Sequence, residues 1–504
     1  MHQGNDAVEE RNFETKLYAP ESLDFILLTH AHIDHSGLLP RMVANGFKGD
    51  IYCTPPTASL ATIMLEDSAH IQEMDTAWKR KKQARNSGQP DQREIEPLYT
   101  VEDAQKVPQQ FHTVEYNQSF QPFPGISITY RDAGHILGSA FIEIVITEDG
   151  KKTKLVFSGD LGRPGTLLMH DPSIAAQADY LFLESTYGDR NHKNEDATLD
   201  ELAEAIAYSY GHHEKVIIPA FAVGRTQEIL YCLYLLSQKG QLPSDIPIFV
   251  DSPLAVRATE IFKEFKEYLD VPEVKITQNM TSKLPNIHFT LNSAESQALN
   301  TMSGPAIIIS ASGMCNAGRI RHHLRHNIWK PGVSIVFVGY QGMGTPGRKI
   351  VNGAKSIRIL NEEVAIKARV FTIGGFSAHA GQSQLLEWVS QMQHPGMHVV
   401  LVHGEEKAQN TLAEIIRETY KLSVSIPAYL DEMELQPGLE PQVAATRPPR
   451  RVDWNFLLAT TENQMAQLRA RLANASDLAW EDQMDVRDRL LELNRDLLAV
   501  LAQL

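Results

Sequence analysis

The sequence has little of several features that mark whole classes of protein. Only three of its 504 residues are cysteine, and this odd, small number argues against a disulfide framework and favours a reducing cytoplasm. No apolar run approaches the ~20 residues of a membrane-spanning helix. The N-terminus shows no basic and apolar leader for export, so we expect a cytoplasmic protein with no membrane partner.

Positive charge is also scarce. Lysine and arginine number 47 against 62 aspartates and glutamates, a formal net charge of −15. Proteins that coat nucleic acid non-specifically neutralise phosphates with Lys and Arg, so this class is disfavoured. A nuclease remains open, because bound divalent cations supply positive charge where a scissile phosphate sits. One basic run, residues 79–82, ends a helix predicted over 58–84; it is either a solvated helix end or a contact for a nucleic acid backbone.

Histidine and aspartate are concentrated in one hexapeptide, residues 30–35. The apolar run before it predicts a buried strand, and the residues after it predict the start of a helix. Residues two apart in a strand point the same way, so His30 and His32 can share one metal ion. The turn that follows brings Asp34 and His35 toward a second ion. Three imidazoles and a carboxylate suit zinc, although a histidine-rich surface turn is the alternative.

Two later turns carry further candidate ligands. His135 lies in a glycine-flanked turn, where backbone can approach a metal closely. Asp160 comes just beyond another apolar run that predicts a buried strand. Each feature alone is typical of a structural turn. Their order after the hexapeptide favours a shared metal site.

Together these motifs resemble the metallo-β-lactamase superfamily, whose fold is an α/β sandwich with αββα layers. The resemblance implies two zinc ions, with Mn²⁺ as a substitute, bridged by Asp160. The other ligands that it implies are His30, His32 and His135 for the first ion, and Asp34 and His35 for the second. The apolar run that ends at Glu184 resembles motif A of the β-CASP branch, the nucleic-acid-processing nucleases of this superfamily.

From about residue 191 to 365 apolar strands alternate with helices, which predicts a parallel sheet covered on both faces. Small residues at the strand ends leave N–H groups free to hold an anion. A generic nucleotide-binding fold is the alternative, which the absence of Gly-x-x-x-x-Gly-Lys-Ser/Thr and Gly-x-Gly-x-x-Gly motifs disfavours. The segment resembles the β-CASP domain, which caps the metal centre and forms a cleft. The candidates for binding phosphates of the substrate are Ser312, Gly313 and Ser377.

After the insertion the chain is expected to return to the metal domain. The segment ending at His379 resembles motif B, and the strand before His403 leads into a segment that resembles motif C. The resemblance implies that His379 donates a proton to the leaving oxygen and that Glu184 orients and charges it, with Asp34 both a ligand and part of the catalytic group. His403 is the remaining implied metal ligand. A histidine there implies RNA rather than DNA, because the DNA-directed members tend to carry valine.

These features predict a zinc-dependent ribonuclease that cuts single-stranded RNA in RNA processing or decay. Two bridged zinc ions would lower the pKa of a water molecule toward ~7, and the resulting hydroxide would attack phosphorus. One rival is a lactonase or thioesterase of the same superfamily, which would lack motifs A and B. The other is a non-catalytic RNA-binding or scaffold subunit, a class that has lost metal ligands which are present here.

The predicted domains are residues 1–190 and 366–435 for the metallo-β-lactamase fold, 191–365 for the β-CASP domain, and 436–504 for a linker and helical extension. His2 and the two residues after it resemble those that normally follow motif 1, so the opening strands and the motif 1 aspartate are expected to be missing. Losing such a supporting group typically costs ~10–100-fold in metal affinity or activity. Either the stated start lies downstream of the true one, or the chain is a shortened member.

Two helices are predicted in the extension, at about 453–472 and 477–502. An apolar stripe on the second must be buried against something. Its members are Leu490, Leu493, Leu497 and Val500. An intramolecular hairpin and a contact with a second copy or another protein are both open.

Overall fold

The structure, a computed structural model, describes residues 1–436 apart from 3–5, 87–95, 193–197, 271–283, 285, 340, 343 and 361. It also describes 442–444 and scattered positions between 461 and 494. The chain divides into two units, residues 1–429 with 434–442, and residues 430–433 with 443–504. The two helices predicted in the extension, and their apolar stripe, lie largely outside the described residues and stay predictions. None of the described helices combines the length and the apolar composition that a membrane span requires.

Twenty strands are described, numbered here in chain order. They are β1 Phe25–Leu27, β2 Asp50–Cys53, β3 Phe111–Thr113, β4 Ser119–Phe123, β5 Ile126–Asp132, β6 Ala140–Glu148, β7 Lys151–Phe157, β8 Tyr180–Leu183, β9 Lys215–Pro219, β10 Ile248–Asp251, β11 Ile287–Phe289, β12 Ala306–Ser310, β13 Ser334–Phe337, β14 Ser356–Ile359, β15 Glu362–Ala365, β16 Arg369–Thr372, β17 His398–Leu401, β18 Ser423–Ser425, β19 Glu432–Glu434 and β20 Gln442–Ala444.

The described elements also include α-helices. They are Asp6–Glu10, Ile33–Ser36, Leu39–Ala44, Pro55–Asn86, Val101–Lys106, Thr198–Gly211, Arg225–Gln238, Pro253–Glu264, Ser293–Thr301, Ile320–Asn327, Pro346–Val351, Gln382–Met392 and Glu406–Tyr420. Residues 1–24 contain the first of these helices and three short 3₁₀ helices.

Two sheets form the inner layers of the predicted αββα sandwich. The smaller has the parallel order β1-β2-β3, and the larger has the order β18-β17-β8-β7-β6-β5-β4. Tyr52 of the small sheet packs against Ile128 and Tyr130 of the large one. Two helices, Gln382–Met392 and Glu406–Tyr420, cover the outer face of the large sheet. The αββα architecture is therefore confirmed.

The predicted parallel sheet of the inserted segment is also confirmed. Its six strands run in the order β11-β10-β12-β9-β13-β16, and every described pair is parallel. The central strands β9, β12 and β13 are buried along their whole length, as expected for strands with helices on both faces. The edge strand β16 lies after residue 365, so the sheet extends beyond the boundary drawn from the sequence.

A buried carboxylate at the end of β10 joins the elements of this sheet. Asp251 Oδ1 accepts hydrogen bonds from Arg319 Nη1 at 2.7 Å and from the Thr290 hydroxyl. Its Oδ2 accepts from Ser296 Oγ at 2.6 Å and lies 2.6 Å from His323 Nε2. Burial raises the pKa of Asp251, but the hydrogen bonds, that with His323 first, outweigh it and hold the pKa below its ordinary value.

Replacing this carboxylate is expected to destabilise the fold. Asp251→Ala leaves buried His323 and part-buried Arg319 without their anion, so we expect the free energy of unfolding to fall by about 3–5 kcal/mol. Urea unfolding followed by circular dichroism measures it. The exposed Asp75→Ala is the control, with an expected change within about 0.5 kcal/mol. Equal effects of the two changes would contradict the prediction.

Candidate metal centre

The hexapeptide divides into two parts after β1. His30 and His32 lie in the segment that follows the strand, and Asp34 lies in the short helix Ile33–Ser36. The Ser36 hydroxyl lies 2.9 Å from the Ala31 carbonyl oxygen and 3.1 Å from that of His32, close enough to hold the turn. The change of backbone direction places the His30 and His32 side chains in one cluster and those of Asp34 and His35 in a neighbouring one.

The first cluster contains three imidazole nitrogens and one carboxylate oxygen. His32 Nδ1 lies 3.2 Å from His30 Nε2 and 3.1 Å from His135 Nε2. Asp160 Oδ2 lies 3.4 Å and 3.5 Å from those same Nε2 atoms of His30 and His135. Four ligands at ~2.0–2.1 Å from a tetrahedral zinc ion are separated by roughly 3.3 Å. The spacing is therefore that of ligands around one cation.

The second cluster uses the other oxygen of Asp160. His35 Nε2 lies 3.3 Å from Asp160 Oδ1 and 3.7 Å from Asp34 Oδ2. His403 Nε2 lies 3.3 Å from Asp34 Oδ2, and its Nδ1 lies 3.5 Å from Asp160 Oδ1. The candidate ligand atoms within each cluster lie within 4.8 Å of one another. Asp160 thus presents one oxygen to each cluster.

Two buried atoms of this centre have no hydrogen-bond partner among the described residues, His35 Nε2 and Asp160 Oδ1. Unpaired buried polar atoms are rare in proteins because they lose their hydration without compensation. A cation in the second cluster would satisfy both atoms at once. The residues therefore fit a divalent metal ion at this place, and two imidazoles with two carboxylates are ligands that zinc can bind.

Burial sets the protonation of the first cluster. It lowers the pKa of His30 to about 3, that of His32 to about 4, and that of His135 well below its ordinary value. Neutral imidazole is the form that binds metal. Burial alone would raise the pKa of Asp160, but the surrounding histidines, His403 first, outweigh it and hold the pKa well below normal. The candidate ligands of the first cluster are therefore in the protonation state that binds a metal at neutral pH.

His403 differs from the other histidines. Burial lowers its pKa, but the carboxylates of Asp160 and Asp34 outweigh burial and raise the pKa to about 10. Its Nδ1 also lies 3.2 Å from the hydroxyl of Thr186. A metal ion bound by this imidazole must displace its proton, so binding at the second cluster is expected to release a proton.

A histidine and a buried glutamate lie beside the two clusters. His379 Nδ1 lies 3.2 Å from Glu184 Oε1, and its Nε2 lies 4.0 Å from Asp160 Oδ2. Glu184 is fully buried at the end of β8, where it also accepts from the Leu161 N–H at 2.7 Å and the Thr186 N–H at 3.3 Å. Burial lowers the pKa of His379, but the charges of Glu184 and Asp160 outweigh it and raise the pKa above normal. This pair is suited to donating a proton.

Removing the charge of this glutamate is expected to shift the pH dependence of activity. A proton donor must be protonated, so the rate falls as pH rises through the pKa of His379. Glu184→Gln removes the anion that raises this pKa, and the alkaline limb of kcat against pH should move down by about one unit or more. Exposed Glu102→Gln is the control. An unmoved limb with normal metal content would contradict the assignment.

The clusters open onto a cavity of about 240 Å³ that the inserted sheet helps to line. Ser377 lines this cavity, as do the metal-binding candidates His32, Asp34, His135 and Asp160 and the candidate proton donor His379. Ser312 and Gly313 are not among its lining residues. The Ser312 hydroxyl lies 2.8 Å from Asn316 Oδ1 in its own loop. The phosphate-binding roles of all three stay predictions.

Other lining residues carry no sequence signal that separates them from core residues. Met64 on the helix Pro55–Asn86, Phe221 after β9, and Arg225 at the start of its helix all reach the cavity. Arg225 Nη1 donates to Glu228 Oε2.

Three family models match the chain. A metallo-beta-lactamase superfamily domain covers residues 3–158, and a Beta-Casp domain covers residues 226–350. A Zn-dependent metallo-hydrolase RNA specificity domain covers residues 363–427.

Curated relatives match over most of the chain. It is 35% identical over 418 residues to Ribonuclease TTHA0252 of Thermus thermophilus, covering 82% of this chain and 89% of that protein. It is 32% identical over 411 residues to an RNase J-like protein of Methanocaldococcus jannaschii, covering 81% and 87%. It is 34% identical over 428 residues to Transcription termination factor FttA of Pyrococcus abyssi, covering 82% of this chain but 62%, less than two-thirds, of that factor.

Proposed function

The chain belongs to the β-CASP ribonuclease branch of the metallo-β-lactamase superfamily and is an RNA-processing metallo-hydrolase, and from this membership we propose that it uses two zinc ions to hydrolyse phosphodiester bonds of single-stranded RNA. One observation carries the proposal. The two oxygens of Asp160 divide between two clusters of ligand atoms, beside a histidine–glutamate pair in one cavity.

In this proposal each cluster holds one cation. The ligands are His30, His32, His135 and Asp160 for the first, and Asp34, His35, His403 and Asp160 for the second. When bound, the cations would supply water of lowered pKa at neutral pH and positive charge for the phosphoryl oxygens. Mn²⁺ is proposed as a substitute, because imidazole and carboxylate also bind it.

The proton donor of this proposal is His379. Its Nε2 points toward Asp160, and its Nδ1 is held by Glu184, which also accepts from backbone N–H groups. The carboxylate therefore fixes the imidazole in orientation and favours its protonated form, as a donor to the leaving oxygen requires. Ser377 lines the cavity, which supports its proposed contact with a phosphate.

The choice of RNA rests on the family and on His403. The matched RNA specificity domain contains this residue. The matches to Ribonuclease TTHA0252 and to the RNase J-like protein span most of the length of each of those proteins. A β-CASP domain also separates the chain from simple lactonases and thioesterases of the fold. The three cysteines are free and buried, consistent with a reducing cytoplasm as the place of reaction.

Metal removal tests the proposal directly. Purified protein is expected to contain close to two zinc ions per chain by elemental analysis, and to cut end-labelled single-stranded RNA but not the matching DNA. Dialysis against a chelator should abolish cleavage, and Zn²⁺ or Mn²⁺ should restore it. Metal-loaded protein that binds RNA and leaves it intact would instead favour a scaffold role.

A further inference from the structure

The wall of the cavity formed by the inserted segment carries one exposed aromatic ring. Phe221 follows β9 and lines the cavity with 42% of its surface exposed. Its apolar neighbours in the lining include Met64, Met169, Val223 and Met314. An exposed apolar patch inside a cleft is typical of a surface that a ligand covers.

The backbone of Phe221 is held by hydrogen bonds, and one side of its ring packs closely against Gly313. The Phe221 carbonyl oxygen accepts hydrogen bonds from the Thr226 N–H at 3.2 Å and from the Thr226 hydroxyl at 2.8 Å. A Cβ atom at Gly313 would lie 3.1 Å and 3.2 Å from ring carbons Cδ2 and Cε2, tighter than ordinary contact. The absence of a side chain at Gly313 therefore lets the ring lie against the backbone on that side while it stays exposed to the cavity.

We propose that Phe221 is a stacking platform for one nucleobase of the RNA, next to the phosphate that is cut. The inference rests on the proposed function and extends it to the substrate class. Stacking on an aromatic ring tolerates every base, because each base has a π face. The stack itself therefore selects no particular base, but it takes only a base that has left a duplex, because a paired base is stacked on its own neighbours.

The test compares Phe221→Leu with Phe123→Leu, a phenylalanine that is 49% exposed on β4 and does not line the cavity. Loss of one base–aromatic stack is expected to lower kcat/KM on single-stranded RNA about 5- to 150-fold. Phe221→Trp should keep most of the activity, Phe123→Leu should change nothing, and the metal content of all variants should match the parent.

Abasic substrates locate the stacked base. Removing the base at one position beside the cleaved bond is expected to slow cleavage by the parent protein as much as Phe221→Leu slows cleavage of intact RNA. The same abasic substrate should cause no further loss in the Phe221→Leu variant. Equal additional losses in the variant at every abasic position would overturn the proposal. So would a Phe221→Leu protein as active as the parent.

Binding separates this proposal from the hydrolytic one. The fluorescent base 2-aminopurine is placed in the RNA at the located position, or at each position in turn if nothing is cut. The parent protein is expected to quench its fluorescence. Quenching should persist in His379→Ala and be lost in Phe221→Leu. Quenching without cleavage would reject only the ribonuclease, and cleavage without Phe221-dependent quenching would reject only the stacking platform.

Discussion

Asp160→Asn is expected to weaken the binding of both metal ions and to lose at least about 10³-fold in kcat/KM. The carboxylate is fully buried and presents Oδ2 to the first cluster and Oδ1 to the second. Asparagine keeps the shape but is neutral and replaces one oxygen with an NH₂ group that cannot bind a cation. Each metal is worth several kcal/mol of transition-state stabilisation, and every 1.36 kcal/mol is tenfold in rate, which sets the scale.

Asp34→Asn is the matched comparison for this prediction. Asp34 belongs to the second cluster alone, so its variant should keep the first metal and fall to about one zinc ion per chain. Elemental analysis and RNA cleavage are measured on the same preparations. Two tightly bound zinc ions in Asp160→Asn would show that Asp160 is not shared between the clusters.

His379→Ala is expected to reduce kcat by roughly 10²–10⁴-fold while the zinc content stays that of the parent. The imidazole lies outside both proposed ligand sets, and its Nδ1 is engaged by Glu184. Loss of the ring therefore removes a proton donor without removing a metal ligand. Cleavage of RNA under saturating conditions measures kcat, and elemental analysis measures zinc.

The leaving group provides the control for the role of His379. A p-nitrophenyl phosphodiester releases a stable phenolate that needs no proton, so His379→Ala should act on it nearly as fast as the parent. Added imidazole should partly restore RNA cleavage if it enters the space left by the ring. An equal loss on both substrates would show that His379 acts by some means other than proton donation.

Local patterns were enough for many elements of the fold. The parallel sheet of the inserted segment follows from apolar runs that alternate with helices, and β9, β12 and β13 form where those runs occur. Periodicity does not say which sheet a strand joins, because pairing partners are distant in sequence. The domain boundary predicted at residue 365 places β16 in the returning metallo-β-lactamase segment. In the structure β16 instead pairs with β13 of the inserted sheet. The strand before the hexapeptide is also shorter than its apolar run, ending at Leu27.

Residue types and their order along the chain were enough to identify the candidate ligands and the family, because imidazoles and carboxylates at strand ends carry their chemistry wherever the chain places them. The folded arrangement was needed to show how these candidate ligands are shared. It set the two oxygens of Asp160 on two clusters, raised the pKa of His379 and His403 through neighbouring carboxylates, and left Phe221 exposed against Gly313. Distances of 3–4 Å between residues as far apart as 34 and 403 depend on strand pairing and packing, which no local pattern encodes.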